Sequence, residues 1–346
     1  MRTVVVSDLH LGSLLERDVL RRPKAVEALV AEVEKSDRLV LLGDTIELLE
    51  GRPRQAMLVA EPVLRRLGRA LGHEGQAVLL PGNHDHTLIR AWLGRQLRSG
   101  APLSLDSIVP RAASTILSEL TSWLEPAQVE VRYPGVWLGA DIFATHGHYC
   151  DRHLLDPTRR RDRHPGSLTV ADYERAPGTD AGATAQALEA RFPEIGAFVG
   201  AERAVDQFRR GVLGALGAVA EVPGARLIAD GASLVMEQGL HRRAAIPGMA
   251  KVASLLEIDS RFLVFGHIHR RGPLPGDDVD MWRPDTNGPR LLNSGSWVYD
   301  SALVGLPTGR PRSYRPGGAV VIEEGAPPAC IDVLADVSDD DLRGKV

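Results

Sequence analysis

Residues Thr3-Val4-Val5-Val6-Ser7-Asp8-Leu9-His10 join an apolar, β-branched run to a polar cluster with a carboxylate and an imidazole. The apolar run predicts a strand buried on both faces, with Asp8 and His10 directly after its end. The same arrangement recurs later in the chain. Leu39–Leu42 runs into Gly43-Asp44, Ala77–Leu80 into Gly82-Asn83-His84-Asp85, Ile142–Thr145 into His146-Gly147-His148, and Phe262–Phe265 into Gly266-His267-Ile268-His269.

Amphipathic helical patterns lie between the first three of these strand candidates. They cover Pro23–Glu34 and Met57–Leu71. Buried strands that alternate with helices are typical of βαβ units, so the sequence predicts an α/β fold. Ligands of open α/β sheets bind outside the carboxyl ends of the strands. We therefore expect the five polar clusters to converge in space.

The residue types in these clusters predict a metal centre. Asp, Asn and His without Cys form a mixed oxygen and nitrogen donor set that suits Mn²⁺, Fe or Zn²⁺. The set exceeds the needs of one ion, and two ions about 3.5–4 Å apart that share a carboxylate can clamp a phosphoryl displacement. Alone, Asp8-x-His10 and Gly43-Asp44 are typical of turns, and the stronger Gly-Asn-His-Asp and Gly-His-x-His segments also fit a turn or a buried, hydrogen-bonded histidine, so the hypothesis depends on all five occurring together.

Taken in order, the five clusters resemble the motifs of the calcineurin-like metallophosphoesterases over about residues 1–150 and 255–300. The matching segments are Asp8-x-His10, Gly43-Asp44-x-x-Glu47, Gly82-Asn83-His84-Asp85, His146-Gly147-His148 and Gly266-His267-x-His269. Leu292–Trp297 is similar to the strand and turn that follow the last motif of that family. The resemblance implies a four-layer α/β/β/α sandwich of two mixed sheets, and helical patterns between the fourth and fifth motifs add a mostly helical insertion.

The resemblance also implies a role for each matching residue. Two divalent metal ions, with Mn favoured over Fe or Zn, would activate a bridging hydroxide that attacks a phosphodiester or phosphomonoester. Asp8, His10 and His269 would hold one ion, Asn83, His146 and His267 the other, and Asp44 both. His84 would act at the leaving oxygen, and Glu47 and Asp85 would orient the ligands.

Two other functions remain as alternatives. The form of the first two motifs resembles the UDP-2,3-diacylglucosamine pyrophosphatases, which would make the substrate a nucleotide-linked pyrophosphate of a lipid or sugar. That branch carries Arg after the motif Asn, where this chain has His84, and this difference favours a general phosphoesterase. A non-catalytic scaffold would keep the fold but lose ligand residues, and none is missing.

The long interval between His146 and His267 predicts an insertion with structure of its own. We expect a core in two parts, 1–150 and 255–335, around a helical insertion at 151–254, with a frayed tail at 336–346. Because the insertion begins and ends beside the predicted metal centre, our hypothesis is that it caps the site and selects the substrate.

Four further features each have more than one interpretation. His148 contacts the substrate, supports a ligand or faces solvent, and the run Arg159-Arg160-Arg161 either contacts a substrate phosphate or, as we favour, lies in a solvated loop. Cys150 is either a catalytic thiol or, as we favour, a small buried side chain. The Gly211-x-x-Gly214-x-x-Gly217 segment is either an apolar contact to lipid or a site of close helix packing, and packing is favoured.

The composition excludes several classes of protein. The 346 residues carry 41 Lys and Arg, 45 Asp and Glu and 2 Cys, with a net charge of −4. This acidic balance disfavours binding to nucleic acid through bulk basicity. Two distant cysteines disfavour a disulfide framework and fit a reducing cytoplasm. No segment resembles a transmembrane helix or signal peptide, and we expect a small phosphorylated substrate.

Overall fold

The computed structural model describes residues 1–13, 16–50, 52–153, 167–176, 245–300 and 313–343. Its strands are β1 (Arg2–Val6), β2 (Arg38–Leu42), β3 (Gln76–Leu80), β4 (Asp106–Ile108), β5 (Gln128–Trp137), β6 (Ile142–Thr145), β7 (Phe262–Phe265), β8 (Arg290–Asn293), β9 (Gly318–Glu323) and β10 (Ala329–Asp332). Its helices are α1 (Pro23–Val33), α2 (Pro53–Leu71), α3 (Arg90–Ser99), α4 (Thr115–Trp123), α5 (Val170–Arg175), α6 (Ile246–Leu255) and α7 (Asp339–Arg343). The predicted α/β class is confirmed.

Hydrogen bonds join the described strands into one ten-stranded mixed sheet. The order is β10-β9-β1-β2-β3-β5-β6-β7-β8, and β4 pairs with β5 at the side. β1, β2, β3 and the first half of β5 are parallel, and β6, β7 and β8 are parallel to one another. The long strand β5 belongs to both halves, since its start pairs with β3 and its end pairs antiparallel with β6.

Alternation of side chains along the strands divides the apolar residues into three clusters. In the first half of the sheet, Val4 and Val6 pack with the residues of α1, α2 and α4. Val5 lies on the opposite face, in a cluster that also contains Ala144 and Val264 from the second half. A third cluster joins the other face of β6 and β7 to α5 and α6. Strands of both halves are therefore buried on both faces, as their continuous apolar runs predict.

The C-terminal segment corrects one prediction. Residues 336–346 are predicted to fray, but 339–343 form α7, in which Leu342 is buried. Lys24 Nζ lies 2.9 Å from both carboxylate oxygens of Asp341, and Arg343 Nε donates to the Tyr299 hydroxyl at 2.7 Å. The acidic run is typical of a solvated tail, but its basic and aromatic partners are distant in sequence.

The predicted insertion at 151–254 is described only at its two ends. α5 and α6 are the helices described there, and both pack beside β6 and β7. Arg159, Arg160, Arg161 and the glycine segment 211–217 lie outside the described residues. Among the helices that the structure describes, none is long and apolar enough to span a membrane.

Candidate metal centre

The five motif loops meet at the carboxyl ends of β1, β2, β3, β6 and β7. Hydrogen bonds from the backbone connect these loops. The N–H of His10 donates to the carbonyl of Asp44 at 2.8 Å, and that of Gly266 donates to the carbonyl of His146 at 2.9 Å. The N–H of His267 donates to the Asp8 carboxylate at 2.9 Å. The first two bonds each connect neighbouring loops within one half of the sheet, and the third joins the two halves, so the predicted convergence is observed.

One group of metal-ligand side chains consists of Asp8, His10 and His269, whose donor atoms lie close enough to share an ion. His269 Nε2 is 3.3 Å from Asp8 Oδ1 and 3.2 Å from His10 Nε2. Asp8 is fully buried and His10 nearly so, whereas the His269 side chain is 26% exposed. The group therefore opens to the surface on the side of His269.

A second group consists of Asp44, His146 and His267. Asp44 Oδ2 lies 3.3 Å from His146 Nε2, while Asn83 Oδ1 lies 3.0 Å from the same nitrogen and 3.1 Å from His267 Nδ1. Two imidazole nitrogens and two oxygens from four loops thus converge, and this donor set fits Mn²⁺, Fe or Zn²⁺.

Asp44 lies between the two groups. Its Oδ2 is 3.3 Å from His146 of the second group and 3.7 Å from His10 of the first. Its Oδ1 accepts the backbone N–H of His84 at 2.8 Å, and His10, Asp44 and His84 form a further group with ligand spacing. A carboxylate in this position is suited to bridge two ions.

The backbone around these side chains is unusual. Asp8, His10, Asp44, His267 and His269 all have φ between 44° and 69°, in the left-handed region. Non-glycine residues rarely adopt it, and such strain of order 1–3 kcal/mol per residue accumulates at functional sites. The fold therefore holds these five residues in a backbone conformation that residues other than glycine rarely adopt.

A carboxylate and a backbone carbonyl contact the outward-facing nitrogens of three histidines in the centre. Glu47 Oε2 lies 3.0 Å from His10 Nδ1 and 2.7 Å from His84 Nδ1, and the Leu42 carbonyl accepts from His146 Nδ1 at 2.9 Å. In His10 and His146 these contacts leave Nε2 to face the centre, which is the usual way a protein orients a ligating histidine.

Asp85 acts on the backbone of the ligand loops. Its carboxylate accepts from the N–H of Gly82 at 2.6 Å and from that of Thr45 at 2.8 Å. It therefore braces the loops that carry Asp44 and Asn83 and contacts neither ligand side chain directly. Burial, and then the charge of Asp44, raise the pKa of Asp85 to about 6.

The electrostatics of the centre favour cations. Burial lowers the pKa of His146, but the charge of Asp44 and their hydrogen bond outweigh it and raise that pKa to about 9. Burial likewise opposes protonation of His84, yet Asp44 and Glu47 raise its pKa to about 10. For Asp8 and Asp44, the neighbouring histidines outweigh burial and lower the pKa of both carboxyls. Carboxylates that attract protons to imidazoles attract metal ions to the same nitrogens.

Comparison with known families agrees with this geometry. The family model described as calcineurin-like phosphoesterase matches residues 1–180, more than half of the chain. The chain belongs to the calcineurin-like phosphoesterase family. Among the curated proteins no sequence matches it. The family uses divalent metal ions, and all seven residues that the resemblance implies as ligands lie at the shared edge of the sheet in this calcineurin-like phosphoesterase.

His148 is the one described site residue whose position disagrees with its predicted role. A substrate contact requires an accessible ring, but His148 is 3% exposed, and its Nε2 faces the Tyr133 hydroxyl at 3.4 Å. Burial, followed by the charges of His146 and His267, lowers the pKa of His148 well below its usual value. His148 is thus a buried imidazole of the protein core and not an accessible substrate contact.

Sequence reasoning missed three residues of the site. The Ser7 hydroxyl donates to Asp8 and lies 2.7 Å from the Ser294 hydroxyl. Asp151 Oδ1 lies 2.8 Å from His267 Nε2. Ser7 and Ser294 each come directly after a strand, as the predicted ligands do, so their positions in the sequence could have indicated that they belong to the site. Asp151 follows no strand, so no local pattern indicates it.

Proposed function

We propose that this protein is a dinuclear-metal-dependent phosphoesterase. Asp8, His10 and His269 would hold one divalent ion, and Asn83, His146 and His267 the other, with Asp44 shared. The observation that carries the proposal is the position of the Asp44 carboxylate, 3.7 Å from His10 and 3.3 Å from His146. When bound, the two ions would supply charge neutralisation for the phosphate oxygens and activation of a water.

His84 is the proposed proton donor. Glu47 holds its Nδ1 at 2.7 Å, which leaves Nε2 for the substrate, and the side chain is 17% exposed beside His10. A proton on Nε2 can pass to the leaving oxygen of the ester, a contribution of about 100- to 10,000-fold in rate.

The proposal includes the finer architecture that the resemblance implies. Each half of the sheet has one face in the shared apolar cluster and the other face against helices. This distribution supports a four-layer α/β/β/α sandwich in which β5 links the two sheets. The division into a two-part core and an insertion at 151–254, the preference for manganese and the cytoplasmic location belong to the same proposal.

The test begins with metal content. The purified chain should bind two equivalents of Mn²⁺, Fe or Zn²⁺ and hydrolyse an aryl phosphate diester or monoester only when metal is present. A panel of diesters, monoesters and nucleotide-linked pyrophosphates at fixed Mn²⁺ identifies the substrate class. A chain that binds no metal, or that binds two ions and cleaves none of the panel, would contradict the phosphoesterase proposal.

A further inference from the structure

His267 is held at three points, and the third is the contact with Asp151. Its backbone N–H donates to Asp8 at 2.9 Å, and its Nδ1 lies 3.1 Å from Asn83 Oδ1. Its Nε2 lies 2.8 Å from Asp151 Oδ1, with both side chains largely buried, at 12% and 14% exposure. Asp151 therefore contacts Nε2, the ring nitrogen that neither Asp8 nor Asn83 contacts.

The two ring nitrogens of His267 face different surroundings. Nδ1 points to the group where Asn83 Oδ1 also meets His146 Nε2, at 3.0 Å. Nε2 lies on the far side of the ring, and a neutral imidazole carries a proton on only one nitrogen. An acceptor at Nε2 keeps the proton there and leaves the lone pair on Nδ1 for a metal ion.

A different reading of the same residues is a separate metal site, since Cys150, Asp151 and His267 also have ligand spacing. The Cys150 side chain, however, is fully buried in the apolar cluster of β7 and α6, and its Sγ is 3.8 Å from Asp151 Oδ1. A thiol enclosed by apolar side chains resists the ionisation that metal binding requires. The arrangement favours Asp151 as a hydrogen-bond partner of His267 over a shared metal site with Cys150.

We propose that Asp151 is a positioning residue for the metal centre, which holds the His267 ring with Nδ1 directed at the ion shared by Asp44, Asn83 and His146. The inference rests on the proposed function. It completes a pattern, because His10 has Glu47 and His146 has the Leu42 carbonyl as outer partners. It also connects the centre to the first residue of the predicted insertion.

The test is the affinity and stoichiometry of Mn²⁺ binding, measured by calorimetry and by competition with a chelator. In Asp151→Ala one of the two equivalents should weaken by about 100-fold, and in Asp151→Asn, whose amide oxygen still accepts the N–H, by about tenfold. The other equivalent should keep its affinity. A general loss of structure would weaken both, so a loss confined to one ion is the signature of positioning.

Two matched variants serve as controls. Asp259→Asn makes the same chemical change at an exposed carboxylate and should leave both equivalents unchanged. Cys150→Ser should also keep both; if instead it loses the same ion as Asp151→Ala, the three residues are themselves a metal site and the positioning role is wrong. If Asp151→Ala does not fold, Asp151→Asn decides.

The outcomes separate this inference from the proposed function. Wild-type protein with two ions and an Asp151→Asn variant with unchanged affinity would overturn the inference while the phosphoesterase proposal stands. Wild-type protein that binds no ion would overturn both.

Discussion

His84 is the residue whose role is most directly tested by substitution. Its Nδ1 contacts Glu47, and its ring packs edge-on against His10 with 4.5 Å between ring centroids. His84→Ala should therefore keep both metal equivalents but lose about 100-fold or more of kcat. The loss should shrink for aryl esters with a more acidic leaving phenol, because these need less proton transfer.

The exposed His73 provides the matched control, and His73→Ala should keep full activity. An active His84→Ala variant with unchanged dependence on the leaving group would contradict the assigned proton transfer.

Gly82 is required for space at the centre. A Cβ at this position would lie 2.3 Å from Asp44 Oδ1 and 2.7 Å from His146 Nε2. Gly82→Ala should displace both ligands, with a loss of about 1–3 kcal/mol in unfolding free energy from overpacking and a weaker affinity for Mn²⁺.

At Gly139 a Cβ would meet nothing within 4 Å. Gly139→Ala should therefore change the unfolding free energy by less than about 1 kcal/mol and leave Mn²⁺ affinity unchanged. Equal Mn²⁺ affinities of the two variants in calorimetry would refute the steric argument.

The pH dependence of metal binding follows from the charge of Asp44. This charge keeps the pKa of His146 at about 9, so at neutral pH the imidazole holds a proton before metal binds. Because metal must displace that proton, Mn²⁺ affinity should rise about tenfold per pH unit for each proton released, and fall as pH decreases. Calorimetry in two buffers of different ionisation enthalpy counts the protons; a count of zero at pH 7 would contradict the prediction.

At the scale of the elements, the short helix α5 depends on tertiary contacts. Six residues are too few for a stable isolated helix. Thr169 and Asp172 form a capping box, and the Tyr173 ring is buried and stacks on Tyr149 with 4.6 Å between centroids. The helix is held by these contacts and by the carboxylate of Glu174.

Glu174 attaches α5 to the core. Its side chain is 3% exposed, and one oxygen accepts from the Tyr133 hydroxyl at 2.5 Å and also from the Tyr149 hydroxyl. Glu174→Ala leaves two buried hydroxyls without this acceptor and should lower the unfolding free energy by about 2–4 kcal/mol. Urea unfolding measures this loss. The control is Glu119→Ala on the exposed face of α4, whose unfolding free energy should stay within about 0.5 kcal/mol of wild type.

The same side chain predicts an acid dependence. Burial raises the pKa of Glu174, but the hydrogen bond with His86 and that residue's charge, followed by the tyrosine hydroxyls, outweigh it and lower the pKa below 4.5. A lowered folded-state pKa stabilises the protein above pH 4.5, and that stabilisation disappears as pH falls below it. The difference in unfolding free energy between wild type and Glu174→Ala should therefore shrink below pH 4.5. A difference that grows below pH 4.5 would refute the lowered pKa of Glu174.

For the whole molecule, the insertion is the part that we predict selects the substrate. α5 and α6 flank residues 177–244 and pack on the same apolar cluster of the second half of the sheet. Replacement of 177–244 by a short flexible linker should keep two metal equivalents and change the ranking of diesters, monoesters and pyrophosphates. An unchanged substrate ranking with metal binding intact would contradict the hypothesis that the insertion selects the substrate.

The sequence alone was enough to predict the α/β class of this protein and the side chains that meet at one edge of its sheet. A buried strand has a local signature, a short apolar run, and a residue that follows such a run must lie at the carboxyl edge of the sheet. Asp8, Asn83 and His267 could therefore be placed together although they are distant in sequence.

Tertiary structure decided how those ligands are oriented and what surrounds them. Asp151 at His267, Glu174 at Tyr133 and the burial of His148 arise from packing between segments that no periodicity connects. The helix at 339–343 likewise depends on Lys24 and Tyr299. Contacts of this kind depend on side-chain directions in the folded chain, because a hydrogen bond needs its two atoms within about 3 Å. Composition and spacing along the chain carry no such distances.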